Sequence, residues 1–200
     1  MGKRRLEAAL QAWSEKHPDE PKPAVRWLPF QLNPDLPAGG MPRAEYIERK
    51  WGAKRGPEAY ARVAAVGRAV DLPFDFENIT VQPNTLDAHR LLNYADQQGR
   101  QDETAEELFK AYFVEGLNLT DHATLADVAA RAGLDRVAVL AYLESDTDQD
   151  LIKKADVEAR SAGIGGVPFF IFNQRVGVSG AQETDVLLDA MEQASAGEKP

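Results

Sequence analysis

The stretch Ala162-Gly163-Ile164-Gly165-Gly166-Val167-Pro168-Phe169-Phe170-Ile171-Phe172 decides the fold of this chain. Up to Gly163 the apolar residues recur at helical spacing. Beyond it, residues 167–172 form a short unbroken apolar run, the pattern of a central strand buried on both faces. Asn173-Gln174 reads as a tight turn and residues 175–179 as a second strand, so the two make a hairpin. Gly180-Ala181-Gln182 then leads into an amphipathic helix over about 184–194, with Val186, Leu187, Ala190 and Met191 on one face. Residues 195–200 are expected to fray.

Working outward, the chain opens inside a helical pattern. Leu6, Ala9, Leu10 and Trp13 share a face over residues 2–16, and His17-Pro18 stops the helix. Residues 25–30, Val-Arg-Trp-Leu-Pro-Phe, predict a short strand, and Pro29, which has no N–H, places it at a sheet edge. A loop follows over 31–40. From Pro42 to Gly163 the spacing is helical almost throughout, with helices expected near 43–54, 57–70, 85–98, 103–117, 122–132, 135–145 and 148–162. Pro57 suits a first helical position, Asn84 and Asp87 a capping arrangement, and Gly99, Gly133 and Gly163 the left-handed residue after a helix. The segment 72–83, with Phe74, Phe76 and two prolines, is a long connection that packs its aromatics. A parallel strand pair needs a crossover, and the helical block is an oversized one. The pattern is that of an α/β domain with a helical insertion.

Bulk composition narrows the functions. At 200 residues and 44% apolar content the chain can bury a sizeable core. No apolar run approaches the ~18 residues that span a bilayer, and the N-terminus lacks signal-peptide character, so a cytoplasmic protein with no membrane partner is expected. The net charge is −9. Residues 1–70 carry +5 and residues 71–200 carry −14, a balance that argues against nucleic-acid binding. With no cysteine in the sequence, disulfides, thiolate metal sites and thiol chemistry by these residues are all excluded.

Several stretches, taken together, resemble the DsbA-like thioredoxin superfamily, and most closely its FrnE-like branch. They are Gly2-Lys3-Arg4-Arg5-Leu6-Glu7, Trp27-Leu28-Pro29-Phe30-Gln31-Leu32-Asn33-Pro34-Asp35, Asn84-Thr85-Leu86-Asp87-Ala88-His89-Arg90-Leu91-Leu92, Leu108-Phe109-Lys110-Ala111-Tyr112-Phe113-Val114-Glu115-Gly116, the opening stretch itself, and Val178-Ser179-Gly180-Ala181-Gln182. The resemblance covers the chain in order. It implies a thioredoxin-like fold with a large helical insertion: a discontinuous thioredoxin-like domain of residues 1–41 and 164–200, and an insertion domain of 42–163. It also implies a first central strand, absent from this chain, ending in a Cys-x-x-Cys motif. No catalytic residue is therefore expected among the 200, and the nucleophile would lie upstream of Met1. Val167 and Pro168 are the expected substrate groove, with Pro168 in the cis form and Val167 offering backbone groups to an extended peptide.

The resemblance implies a thiol–disulfide oxidoreductase acting on a thiol- or disulfide-containing peptide or small molecule, inactive in exchange without sulfur. A thiolate at a helix N-terminus is favoured by the helix dipole, and a second cysteine resolves the mixed disulfide. Two alternatives stand beside it. One is a glutathione-dependent isomerase or transferase of the same fold, with serine in the reacting position and glutathione as cofactor; otherwise no cofactor is expected. The other is a non-enzymatic relative that binds a peptide or partner. Loss of a strand between 25–30 and 167–172 would leave two open edges, with rearrangement, marginal stability or a homodimer as outcomes.

Other candidates are read as structural. Gly163-x-Gly165-Gly166 precedes a strand and lacks the Lys-Ser/Thr of a phosphate loop. His17, His89 and His122 have no metal-ligand spacing; His89 is a packing or surface residue, and His17 and His122 sit at helix ends. Asp146, Asp148 and Asp150 alternate as in a calcium loop but lack its glycine and terminal glutamate. Arg4 and Arg5 are expected on an exposed helix face.

Overall fold

The computed structural model describes residues 1–68 and 70–196, without the side chains of 53–55 and 57. Expectations placed on residue 69 and on the tail 197–200 lie outside the described residues. The elements run α1 (Gly2–Lys16), β1 (Met41–Pro42), α2 (Arg43–Arg68), β2 (Val81–Gln82), α3 (Leu86–Gln97), α4 (Gln101–Phe113), α5 (His122–Arg131), α6 (Arg136–Glu144), α7 (Gln149–Ser161), β3 (Phe169–Phe172), β4 (Val176–Ser179) and α8 (Thr184–Ser195). Two compact units emerge, Met1–Val25 with Arg160–Pro200, and Arg26–Ala159. Together they give a helix-rich α/β chain.

In the first unit, α1 and α8 cover one face of the β3–β4 hairpin. Leu6, Ala9 and Trp13 of α1 are buried at spacings of three and four, as are Leu187, Ala190, Met191 and Ala194 of α8. They close on Phe170, Phe172 and Val178 of the hairpin. Each fully buried large side chain contributes about 1.5–3 kcal/mol, so this small cluster holds the unit. The strands pair antiparallel from Phe169 opposite Ser179 to Phe172 opposite Val176. Residues 173–175 connect the paired Phe172 and Val176; Asn173 and Gln174 both have positive φ, 47° and 55°, and Arg175 N–H donates to Phe172 C=O at 3.0 Å, closing the turn. The expectation that residues 167–172 are buried on both faces is corrected. Ile171 is 49% exposed. Among the described residues only β4 pairs with β3.

The second unit is a helical block around Leu91, Leu125, Val128, Val139 and Leu143. Asp121 caps α5 by accepting from Thr124 N–H, and Asp135 caps α6 by accepting from Val137 and Ala138 N–H. The two helices expected at 43–54 and 57–70 are both present as the two parts of α2, and the break between them falls at Gly52, where φ is 74° and ψ 163°. Position 57 accordingly lies inside α2. Two-residue strands β1 and β2 pair antiparallel and were not expected from pattern; they are too short to show alternation.

Residues 25–30 are not a strand, and no parallel pair exists among the described residues. The extended backbone is held by side chains instead. The amide of Gln101 accepts from Trp27 N–H at 2.8 Å and donates to Trp27 C=O at 3.0 Å, meeting both groups as a neighbouring strand would.

Arg90 fastens the helical block. Its side chain is fully buried and donates to the carbonyls of Thr147, Leu143, Tyr142 and Ser145 at 2.6–3.1 Å. Its charge is met by Asp87 Oδ1 at 2.7 Å. These carbonyls lie at and beyond the end of α6, where helix geometry leaves acceptors unsatisfied. Arg90→Met removes every one of these donors and leaves Asp87 without this cation. It should destabilise the chain by about 3–5 kcal/mol, read as a lower urea midpoint at unchanged m-value.

Candidate functional site

The N-terminus of α1 meets the start of β3. A Cβ built on Gly2 would lie 2.8 Å from Pro168 Cγ, 3.2 Å from Pro168 Cβ and 3.4 Å from Phe170 Cζ. Only glycine lets the helix approach this closely. The Val167–Pro168 peptide bond is cis, and Val167 is half exposed. Pro168 C=O accepts from Gly180 N–H at 2.8 Å. Gly180 turns that N–H inward from a φ of 83°, which is open to glycine but strained for other residues. The Ser179-Gly180-Ala181 stretch thereby fixes the proline from the hairpin side.

Charge gathers at the same end. The first turn of α1 contains no acid and carries Lys3, Arg4 and Arg5 in succession. Cations there oppose the helix dipole, and nearby groups hold them. Lys3 and Arg4 both pair with Glu7. The expectation that Arg5 is simply exposed is corrected: it donates to Ala181 C=O and pairs with Glu183 at 2.6 Å, tying α1 to the segment entering α8. The dipole and these three cations both favour an anion at the Gly2 end.

The other candidates lie elsewhere and do not converge on Pro168. His17 ends α1 and stacks on Trp13 with ring centroids 4.1 Å apart. His122 Nε2 lies 2.9 Å from Asp87 Oδ2. Asn84 accepts from Leu86 N–H and donates to Leu36 C=O, a local cap and a loop tie. Asp148 accepts from Tyr142 Oη and Asn93 Nδ2. The residues 163–166 precede β3 rather than a helix. Among the described residues no three His, Asp or Glu side chains gather as metal ligands.

His89 Nε2 lies 3.2 Å from Phe30 C=O. Burial holds its imidazole below the usual 6.5, with that hydrogen bond and Asp156 pulling the other way. Burial likewise pushes the Tyr112 phenol up to about 12, opposed by Arg43, whose Nη1 donates to Tyr112 Oη at 3.0 Å. One cleft, about 410 Å³, follows Leu10, Ser14, Lys22 and Pro23. Its α1 wall starts about 12 Å along the helix from Gly2, at 1.5 Å per residue. Another, about 280 Å³, involves Gln31, Asn84, Lys153 and Asp156. Neither contains Val167 or Pro168.

Gly2, Arg5 and Gln101 were not legible as functional or positioning residues. Nothing in their sequence neighbourhood signals a contact with Pro168, Glu183 or Trp27, which lie 166, 178 and 74 positions away.

The chain belongs to the DSBA-like thioredoxin domain family, whose profile matches residues 1–192. It is 28% identical over 172 residues to the protein YwbO of Bacillus subtilis (strain 168), covering 84% of this chain and 80% of that protein. It superposes on the crystal structure of a probable DsbA oxidoreductase from Streptomyces coelicolor with a TM-score of 0.87 and 29% identity, covering 100% of this chain and 85% of that one. The fold is therefore a DsbA-like thioredoxin fold with a helical insertion, and no helix among the described residues is long and apolar enough to cross a membrane.

The Gly2 contact gives a sign test. Elsewhere in a helix Gly→Ala is favourable by up to ~1 kcal/mol. Here Gly2→Val should destabilise by about 1–3 kcal/mol through overpacking against Pro168. A lower thermal midpoint for Gly2→Val beside an unchanged midpoint for Gln11→Ala, on the same helix, is the expected result.

Proposed function

We propose that these residues are the scaffold and substrate-holding side of a FrnE-like thiol–disulfide oxidoreductase. The observation that carries the reading is the packing of the α1 N-terminus onto Pro168 beside the exposed Val167. An extended, disulfide-containing peptide lies along Val167, pairing with its backbone, and the anion-favouring end of α1 stabilises the thiolate that attacks it. That thiolate bonds to one substrate sulfur and expels the other as thiolate. A second cysteine then attacks the mixed disulfide, releasing the substrate reduced while the protein pair becomes oxidised. The sulfur is not among the 200 residues. The reading places it in an apolar strand ending in Cys-Pro-x-Cys that precedes Gly2 and pairs with the open edge of β3. The resemblance to a probable DsbA oxidoreductase supports the same assignment.

The absence of cysteine favours one second reading, a relative that binds an extended peptide at Val167 and Pro168 without exchange. The coding sequence read in frame upstream of Met1 separates the cases. Cys-Pro-x-Cys after an apolar run supports the oxidoreductase. Serine in the reacting place supports a glutathione-dependent isomerase or transferase, and an immediate stop codon supports the binder. The 200 residues alone should show no turnover in an insulin-reduction assay. A chain extended through that upstream cysteine pair should show it and lose it on Cys→Ser. Turnover by the 200 residues alone would overturn the requirement for sulfur from outside them.

A further inference from the structure

Arg43, the first residue of α2, is only 6% exposed, yet it has no carboxylate partner among the described residues. Its Nη1 donates to Gln82 Oε1 at 2.5 Å and to Tyr112 Oη at 3.0 Å. Its guanidinium carbon lies 4.6 Å from the centre of the Tyr60 ring. Its Nε is buried and finds no acceptor. Neither phenol supplies a counter-charge: burial raises Tyr60 and pushes Tyr112 up to about 12, so both stay protonated at neutral pH. Glu45, the acid of the same helical turn, pairs with Arg49 instead. Residues 53–55 and 57 include no acid in the sequence.

A buried charge is costly unless it is paired. Arg90, also buried, meets Asp87 and four carbonyls. The surroundings of Arg43 add positive charge instead. The residue opens α2, at the positive end of the helix dipole. Lys50, two turns along the same face, donates through Nζ to Tyr46 Oη at 2.7 Å. It too has no carboxylate partner among the described residues. Both cations border one run of rings. Tyr46 and Trp51 have centroids 6.2 Å apart, and Trp51 and Tyr60 5.4 Å. Lys50 Nζ lies 5.0 Å from the centre of the Trp51 ring.

We propose that Arg43 anchors a binding site for an organic carboxylate carried on a flat apolar group, beside the rings of Trp51 and Tyr60. Nη1 is already spent on Gln82 and Tyr112. The Nε edge remains, and a guanidinium edge offers parallel donors that match the two oxygens of a carboxylate. The rings favour an apolar body and disfavour a strongly hydrated dianion such as phosphate. The ligand enters where Tyr60 lifts off the guanidinium. Tyr60 lies beyond the Gly52 break, and the φ of 74° and ψ of 163° at Gly52 belong to a region that is essentially glycine's own. One non-helical residue therefore joins the part of α2 that carries Tyr60 to the part that carries Arg43. Every group of the site comes from α2, β2 and α4. None lies on residues 25–30 or on β3, the segments that the strand of the oxidoreductase reading would join, so the two proposals stand or fall separately.

Benzoate, with benzamide as its uncharged counterpart, tests this on the full chain. The Arg43 Nε–H resonance, assigned through its bonded nuclei, should shift saturably with benzoate. The thermal midpoint should rise with benzoate concentration, as for any ligand that binds only the folded state. Benzamide and inorganic phosphate should do neither. Arg43→Lys keeps the charge but not the Nε edge, and should weaken benzoate binding by about tenfold or more. No saturable shift at Arg43, an equal response to benzamide or phosphate, or undiminished binding by Arg43→Lys would each overturn the proposal. If Arg43→Lys does not fold, the Arg43 resonance of the unaltered chain, with benzoate against benzamide, decides it.

Discussion

The close approach of α1 to Pro168 is the constraint on which the first unit depends. A four-residue hairpin is marginal in water by itself, and β3–β4 persists because α1 and α8 cover its inner face. The helix must lie low enough to bury Leu6, Ala9 and Trp13, and that brings its first residue onto the proline ring. Gly2 removes the Cβ that would otherwise lift the helix off Phe170. Arg5 then ties the same turn to Ala181 and Glu183, so the helix start, the cis-proline and the entry to α8 are held together. The anion-favouring end of α1 thus lies beside an exposed backbone segment at Val167.

The second unit meets the same demand, a partner for every buried polar backbone group, with almost no sheet. Side chains take the role of strands. Arg90 satisfies four carbonyls at the end of α6, and Gln101 meets both groups of Trp27. His89 and Asp156 reach the next two buried residues of the same extended segment. An apolar core of helices fixes the positions of these side chains, so the hooks are as rigid as the core around Leu91 and Val128.

Much of the architecture was legible. The apolar run 167–172 followed by Asn173-Gln174 announces the hairpin, because a continuous apolar stretch of this length between glycines has few other uses. Helical spacing located α1 and α3–α8 within a few residues, and the glycines at 99, 133 and 163 marked ends correctly. Three features went astray. Residues 25–30 carry the composition of a strand, but a strand exists only where another backbone pairs with it, and here the partner is the Gln101 amide. Ile171 has the character of a core residue, yet it is 49% exposed. The break in α2 falls at Gly52 and not near Pro57, because a positive φ interrupts a helix whereas the pattern on either side continues it.

The sequence by itself determined the class of the fold, the hairpin, the helical block and the lack of cysteine, since each follows from local period, turn chemistry or composition. Val167 and Pro168 were singled out by the resemblance to the DsbA-like thioredoxin superfamily and not by local pattern. Tertiary structure alone decided that Gly2 packs on Pro168, that Arg5 reaches Glu183, and that Gln101, His89 and Asp156 meet the backbone of Trp27, Phe30 and Gln31. Those roles rest on contacts between residues 59 to 178 positions apart. Local pattern records which side chains can bury or donate; only the packed chain determines which groups they meet.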